Sequence, residues 1–383
     1  MNAPEKHLPI YMDCNATTPL DPRVRDIVFR YLEEDFGNAG SRTHEYGTRA
    51  KHAVQKARKQ VAAIIDAEPH EVVFTSGATE SNNLAILGLA RHGEQVGKKH
   101  ILSTQIEHKA VLEPLERLRE LGFEVTLLKP TPGGRVEPEA VAKALRPDTL
   151  LVTIMHVNNE TGIVQPIENI AEALSDSDVL FHTDAAQGFG KELQPLKNRR
   201  LDLVSISGHK VFAPKGVGAL VMRKRGFKRP PIAPLAFGGG QERGIRPGTL
   251  PVALIVGLGL AAELAGKEVE GRAARCSQMK EYVLDAFDGL GATCNGDQSR
   301  ALPHVVNLSI PGIDSEAVML ALKDLIAISN GSACTSQAYE LSHVLRAMGL
   351  DDDTVRGAIR ISWCHMTESP NWDQVVSRFQ KLQ

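Results

Sequence analysis

The chain has 383 residues, 42% of them hydrophobic and 23% charged, with 44 Lys+Arg against 46 Asp+Glu for a formal net charge of -2. That balance describes a soluble globular protein, and the length gives two or three domains whose core needs no metal or disulfide staple. It excludes the strong overall positive field that non-specific nucleic-acid binding requires, so no direct contact with nucleic acid is expected.

In chain order, the polar start Met1-Asn2-Ala3-Pro4-Glu5-Lys6 has no apolar stretch behind it, unlike a signal peptide, and a cytoplasmic location is expected. Between about residues 70 and 225, short β-branched runs at 71–74, 100–103, 124–128, 150–155, 179–182, 203–206 and 218–222 alternate with helical patterns at 79–91, 110–121, 138–145 and 167–175. Alternation of this kind predicts an α/β fold, a mostly parallel sheet of seven strands covered by helices on both faces, with ligands at the carboxyl ends of the strands. The longest apolar stretch, 252–262, is shorter than the ~18–20 residues of a bilayer span and predicts a buried helix, with no membrane association. A long helical region at 252–290, strands at 304–309, 326–329 and 358–362, a helix at 316–325 and a last helix describe a smaller α+β unit.

Three features carry chemistry. In Val72-Val73-Phe74-Thr75-Ser76-Gly77-Ala78-Thr79-Glu80 an apolar strand runs through a hydroxyl- and glycine-rich turn into a helix, which collects backbone N–H groups where a phosphate binds; the plainer alternative is a helix capped by Thr79. Ser205-Ile206-Ser207-Gly208-His209-Lys210 puts a lysine at a strand's carboxyl end, where partial desolvation suits Schiff-base chemistry. Strand 179–182 ends in Thr183-Asp184-Ala185-Ala186-Gln187, placing at the same rim a carboxylate able to hold a pyridinium nitrogen protonated. Phosphate cradle, lysine and acidic partner together are what pyridoxal 5'-phosphate (PLP) requires.

With those residues, the chain resembles the cysteine desulfurases (NifS/IscS-like) of the aminotransferase class V group, fold-type I PLP enzymes. Further matching motifs are Met12-Asp13-Cys14-Asn15-Ala16-Thr17-Thr18-Pro19, Glu107-His108-Lys109, Met155-His156-Val157-Asn158-Asn159-Glu160, Gly238-Gly239-Gly240-Gln241-Glu242-Arg243-Gly244, Ser332-Ala333-Cys334-Thr335-Ser336 and Arg360-Ile361-Ser362. The resemblance implies a large PLP-binding domain over 19–250 and a small domain, 1–18 with 251–383, that carries a mobile Cys loop. It implies Lys210 as the residue that attaches the cofactor and exchanges the substrate Cα proton, with His108 stacked on the ring and assisting proton transfer. Asp184 would meet the ring nitrogen, Gln187 and Asn158 the ring oxygen, and Ala78, Thr79, Ser207 and His209 the phosphate. Thr249 would reach the phosphate of a neighbouring subunit, making the protein a homodimer with a composite site. Arg360 would pair with the carboxylate of L-cysteine, with Asn38 and Asn158 as further substrate contacts. Cys334, in a run of small residues, would take the sulfur as a persulfide and pass it to an acceptor protein.

Five cysteines, without C-x-x-C spacing, otherwise read as free thiols, and no resident metal is expected beyond a transient iron–sulfur ligand role for Cys334. Cys364, beside Arg360 in sequence, reads as packing. Asn38-Ala39-Gly40-Ser41 and a chain that stops at Gln383 depart from the housekeeping pattern and resemble the DNA phosphorothioation branch. The run Arg223-Lys224-Arg225-Gly226-Phe227-Lys228-Arg229 is a solvated loop or a docking patch for an acidic acceptor. Alternatives are another fold-type I enzyme, such as a selenocysteine lyase or aminotransferase, and a non-catalytic sulfur-carrier or assembly module.

Overall fold

A computed structural model describes residues 8–310, 312–330 and 341–382; Cys334 therefore lies outside the described residues. The chain enters through strand β1 (Ile10–Tyr11) and two helices, α1 (Pro22–Glu33) and α2 (Glu45–Ala63). Helix α1 starts where Asp21 accepts the amide of Arg23 and Pro22 presets the first turn. Strand β2 (Val72–Thr75) then leads to α3 (Ala78–Leu87), α4 (Ala90–Val96), β3 (His100–Thr104), α5 (Lys109–Glu120), β4 (Glu124–Leu128), α6 (Pro138–Ala144), β5 (Thr149–Thr153), α7 (Ile167–Ala173), β6 (Leu180–Asp184), β7 (Leu203–Ser207) and β8 (Gly218–Met222).

Strands β2 to β8 form one seven-stranded sheet in the order β2-β8-β7-β6-β5-β3-β4. Only β8 runs antiparallel, to both its neighbours; the pairs from β7 to β4 are parallel. The Val/Ile/Leu runs that announce these strands are buried along their whole length in β2, β3, β5, β7 and β8, as expected of a sheet covered on both faces. One difference from the periodicity concerns the helix expected over 79–91, which is two helices. Its ladder breaks because the Gly88 carbonyl turns out to accept the Ala233 amide at 2.8 Å.

Helix α8 (Val252–Asp288) bridges two cores. Its first half, from Val252 to Ala265, packs with α1, α2 and the large sheet. Its second half, from Cys276 to Phe287, packs on a three-stranded antiparallel sheet of β9 (Thr293–Cys294), β10 (Val305–Ser309) and β12 (Ala358–Ser362). Around that sheet lie α9 (Ser315–Leu322), β11 (Ile326–Ala327), α10 (His343–Ala347), α11 (Asp352–Arg356) and α12 (Trp372–Gln380). Strand β1 pairs with β11, so the chain's start is built into this smaller layer. Among the described residues, no helix is long and apolar enough to cross a membrane.

The free edge of β2 is closed by a buried ion pair. Arg58 on α2 donates to Glu242 at 2.5 and 2.8 Å and to the Val72 carbonyl at 2.6 Å, and its guanidinium sits over the Phe74 ring. Glu242 in turn accepts the Phe74 amide at 2.8 Å, which fixes the loop that runs on to Thr249.

Candidate active site

The carboxyl ends of β3, β5, β6 and β7 open into a cleft of about 1250 Å³. Its lining includes Ala78, Thr79, His108, Asp184, Gln187, Ser207, His209, Lys210 and Arg360, so nine of the residues singled out by sequence meet in one place. Each arrives by a different local device.

Ala78 and Thr79 are the first two residues of α3, whose cap position is Gly77 with no side chain to satisfy the leading amides. Thr79 is thus inside the helix rather than its cap. The turn can approach β8 closely because a Cβ at Gly218 would lie 2.6 Å from the Gly77 Cα. Asp184 ends β6 and is held from two sides, accepting from the Asn82 amide at 2.7 Å and the Ala186 N–H at 2.9 Å. Both are neutral donors, so they orient the carboxylate and leave its charge available.

His108 caps α5, its Nδ1 accepting the Ala110 amide at 3.0 Å. That bond places the imidazole hydrogen on Nε2. Burial lowers its pKa against the pull of Asp184, with Lys210 adding to the lowering, which favours the neutral ring. Burial and the adjacent lysines push His209 down to about 4.

Lys210 closes a one-turn 3-10 helix after β7. Its Nζ donates to the carbonyls of Asn15 at 2.5 Å and Ala16 at 2.8 Å. The same N-terminal motif holds the turn itself: the Thr18 amide and hydroxyl both donate to the His209 carbonyl, and the Thr18 hydroxyl accepts the Phe212 amide. Gln187 also reaches the Asn15 carbonyl, at 2.9 Å. Asn15 is therefore the junction of the cleft wall. Residue type gave no hint of this, because the acceptors are backbone atoms.

Arg360, on β12, is 1% exposed. One terminal nitrogen donates to Asp13 at 2.6 Å and the other to the Asn159 carbonyl at 3.0 Å, while its buried Nε has no partner among the described residues. The Ser329 backbone pairs with Arg360, and the Ser329 hydroxyl donates to Asp13 at 3.2 Å.

Three candidates stand elsewhere. The Asn158 side chain is buried and spent within its own turn, accepting the Glu160 and Thr161 amides at 2.9 Å each and donating to the Ile106 carbonyl; Val157 and Asn159 line the cleft instead. Asn38 is exposed, with its side chain turned back to the Gly40 amide at 2.8 Å. Thr249 is exposed and outside this chain's cleft. Two further groups had no role in sequence reasoning, Lys215 on the cleft lining and the buried Glu107 next to His108 in the chain. Burial pushes Glu107 up to about 8; one oxygen accepts from Thr104 at 2.8 Å and the Met155 amide at 2.9 Å, and the other has no partner among the described residues.

Two charges of the basic run 223–229 are structural. Arg223 is buried and donates to the carbonyls of Ile65, Leu196 and Asn198. Arg225 pairs with Asp202 at 2.6 Å. Lys228 and Arg229 remain exposed.

A mostly parallel sheet with a lysine, a carboxylate and an uncapped helix start at its carboxyl ends defines the fold-type I class of PLP-dependent enzymes. The chain belongs to the aminotransferase class-V family, whose profile matches residues 10–375. It is 46% identical over 372 residues to a cysteine desulfurase of Homo sapiens, covering 97% of this chain and 80% of that protein. Among solved structures, DndA from Streptomyces lividans superposes with a TM-score of 0.82 at 48% identity, covering 93% of this chain and 98% of that one. SspA in complex with cysteine gives a TM-score of 0.82 at 37% identity, covering 94% and 100%.

Proposed function

We propose that this chain is a PLP-dependent cysteine desulfurase that converts L-cysteine to L-alanine and receives the sulfur on Cys334. The observation that carries the reading is the convergence of Lys210, Asp184, the α3 N-terminus and Arg360 in one cleft, beside both ends of the segment that bears Cys334. At one end, Ser329 is paired with Arg360. At the other, the Ser342 hydroxyl donates to the buried Glu160 at 2.5 Å.

The residues fit the cofactor. The leading amides of α3 at Ala78 and Thr79, with Ser207 and His209, suit its phosphate; Asp184, oriented but not neutralised, suits a protonated ring nitrogen; Gln187 suits the ring oxygen. When bound, PLP supplies an electron sink for the pairs released at the substrate Cα and, later, from its C–S bond. Lys210 exchanges its Asn15 and Ala16 carbonyl contacts for the cofactor, then takes and returns the Cα proton through Nζ. Neutral His108, fixed by its capping bond, assists that transfer from Nε2. Arg360 holds the substrate carboxylate and so sets the direction of the Cβ–Sγ bond. Cys334 thiolate attacks Sγ, and Cys334–SH plus L-cysteine become Cys334–S–SH plus L-alanine, with no outside oxidant or reductant.

The persulfide is delivered to an acceptor protein in iron–sulfur assembly or in thio-modification such as DNA phosphorothioation. We read residues 19–250 as the cofactor-binding unit and 1–18 with 251–383 as the smaller one, joined by α8, in a cytoplasmic homodimer. Support for the dimer comes from Thr249, exposed beyond its own cleft, and from exposed Phe29, Leu32 and the stacked Phe36 and Tyr46 rings, 5.5 Å apart.

The test divides the steps. Lys210→Ala should abolish alanine formation, whereas Cys334→Ala should keep the cofactor and its absorbance but stop persulfide formation; normal desulfuration by Cys334→Ala refutes the assignment. Supplying selenocysteine beside cysteine separates a lyase of the former.

A further inference from the structure

The segment Asp13-Cys14-Asn15 presents its two polar side chains to the cleft wall and its thiol to the other side. There Cys14 and Cys364 form a small buried cluster with Phe212. The two thiols belong to one packed cluster, and their segments are brought together where Asp13 bridges to Ser362 and the Cys14 amide donates to the Ser362 carbonyl at 3.0 Å. Cys364 is further held by Thr367, whose hydroxyl accepts the Cys364 amide at 3.0 Å and contacts Sγ at 3.5 Å. The Thr367 hydroxyl on its Sγ favours the thiolate of Cys364, whose pKa is lowered beside Cys14 while that of Cys14 is raised.

Both residues are reachable by a small solute although neither is exposed. They line a groove of about 1060 Å³ together with Thr17, Lys215, Met366 and Thr367. They also line a separate cavity of about 460 Å³ that includes Cys276, Lys191 and Arg272.

We propose that Cys364 and Cys14 are an oxidative modification site, in which a small peroxide converts the clustered pair of thiols to a disulfide behind the cleft wall. Cys364 thiolate attacks hydrogen peroxide, giving a sulfenic acid and hydroxide. The Cys14 thiol then displaces water from that sulfenic acid and forms the S–S bond. In sum, two thiols and one peroxide become one disulfide and two waters. The link ties the strand that carries the Arg360 partner, Asp13, and the Lys210 acceptor, Asn15, to the turn after β12. The site is independent of the desulfurase assignment, since neither Lys210 nor Cys334 takes part.

The experiment treats the wild-type holoenzyme with equimolar hydrogen peroxide, alkylates the remaining thiols and maps the digest by mass. A single linked pair of the Cys14 and Cys364 peptides, two hydrogens lighter than their sum and separated by dithiothreitol, is expected. In Cys14→Ser, dimedone should trap a sulfenic acid on Cys364; in Cys364→Ser, Cys14 should remain a free thiol at the same dose. Digests in which the two peptides stay separate, whatever their oxidation state, overturn the pairing. Oxidation of Cys14 in Cys364→Ser to the wild-type extent overturns the assignment of Cys364 as the attacking thiolate.

Discussion

Two arginines are almost completely buried against a carboxylate, and they are finished differently. Arg58 meets Glu242 through both terminal nitrogens and takes a backbone carbonyl as well. Arg360 meets Asp13 through one nitrogen and the Asn159 carbonyl through the other, and keeps a buried Nε without a partner among the described residues. A buried cation whose two terminal nitrogens meet a carboxylate and a strand carbonyl inside the chain is a structural pin; one on a cleft wall with a donor to spare is prepared for an anionic ligand. The difference teaches that burial of charge marks both roles and that a place on the cleft lining separates them, since the structural Arg223 also keeps a buried Nε without a partner among the described residues.

The largest effect should come from breaking the structural pair. Glu242→Ala strands Arg58 and frees the Phe74 amide at the sheet edge, and loss of one partner of a buried pair costs about 3–5 kcal/mol. Chemical denaturation should show that loss, while Arg58→Met with Glu242→Leu should recover much of it. If the single variant unfolds like wild type, the pin reading of Arg58 fails.

Arg360→Lys should do the reverse, leaving stability close to wild type and weakening catalysis. The lysine keeps the charge for Asp13 but cannot offer a planar fork. Losing one charge-assisted hydrogen bond of about 1.5–3 kcal/mol predicts a roughly 10- to 100-fold fall in kcat/KM for L-cysteine. An unchanged kcat/KM would place substrate binding elsewhere.

Glu107 sharpens the contrast, being a buried carboxylate with no arginine at all. Its pKa is raised to about 8 in the fold, above the ordinary ~4.3 of an unfolded chain. Below about pH 4 both states hold the proton and nothing changes. Between the two values the unfolded chain releases it and the native chain keeps it, so stability falls as pH rises, by at most about 1.4 kcal/mol per pH unit. Glu107→Gln, always neutral, should flatten that part of the profile; a slope identical to wild type would mean that Glu107 is already ionised.

What could be read from sequence follows the same division between backbone and side chain. Strands β4 and β12 match their predicted bounds, 124–128 and 358–362, because apolar runs in a covered sheet carry their own signature. Lys210, Asp184 and the α3 start were legible because ligands gather at strand ends, a consequence of topology. Asn15 was not, since the bonds it offers to Lys210 and Gln187 come from a carbonyl that any residue carries. The bonds of the Asn158 side chain to the Glu160 and Thr161 amides could not be read from sequence either, because an asparagine's amide bonds its own turn as readily as a ligand. The Cys14 and Cys364 pair could not be seen at all, because only the pairing of Asp13 with Ser362 brings the two segments together.

The smallest effect belongs to the basic run, which repeats the comparison at the surface. Arg225 is spent on Asp202, whose other contacts include the Phe181 amide at 2.7 Å, so its charge serves the end of β6 and β7. Lys228 and Arg229 stand exposed at the loop's far side. Reversing both, as Lys228→Glu with Arg229→Glu, should leave stability within about 0.5 kcal/mol and L-cysteine turnover unchanged, because neither charge reaches the cleft or a buried partner. If sulfur delivery to an acidic acceptor weakens while turnover holds, those two cations dock the acceptor; if delivery also holds, the run is only the outer rim of the Asp202 pin, and Arg225 is its one structural charge on that loop besides the buried Arg223.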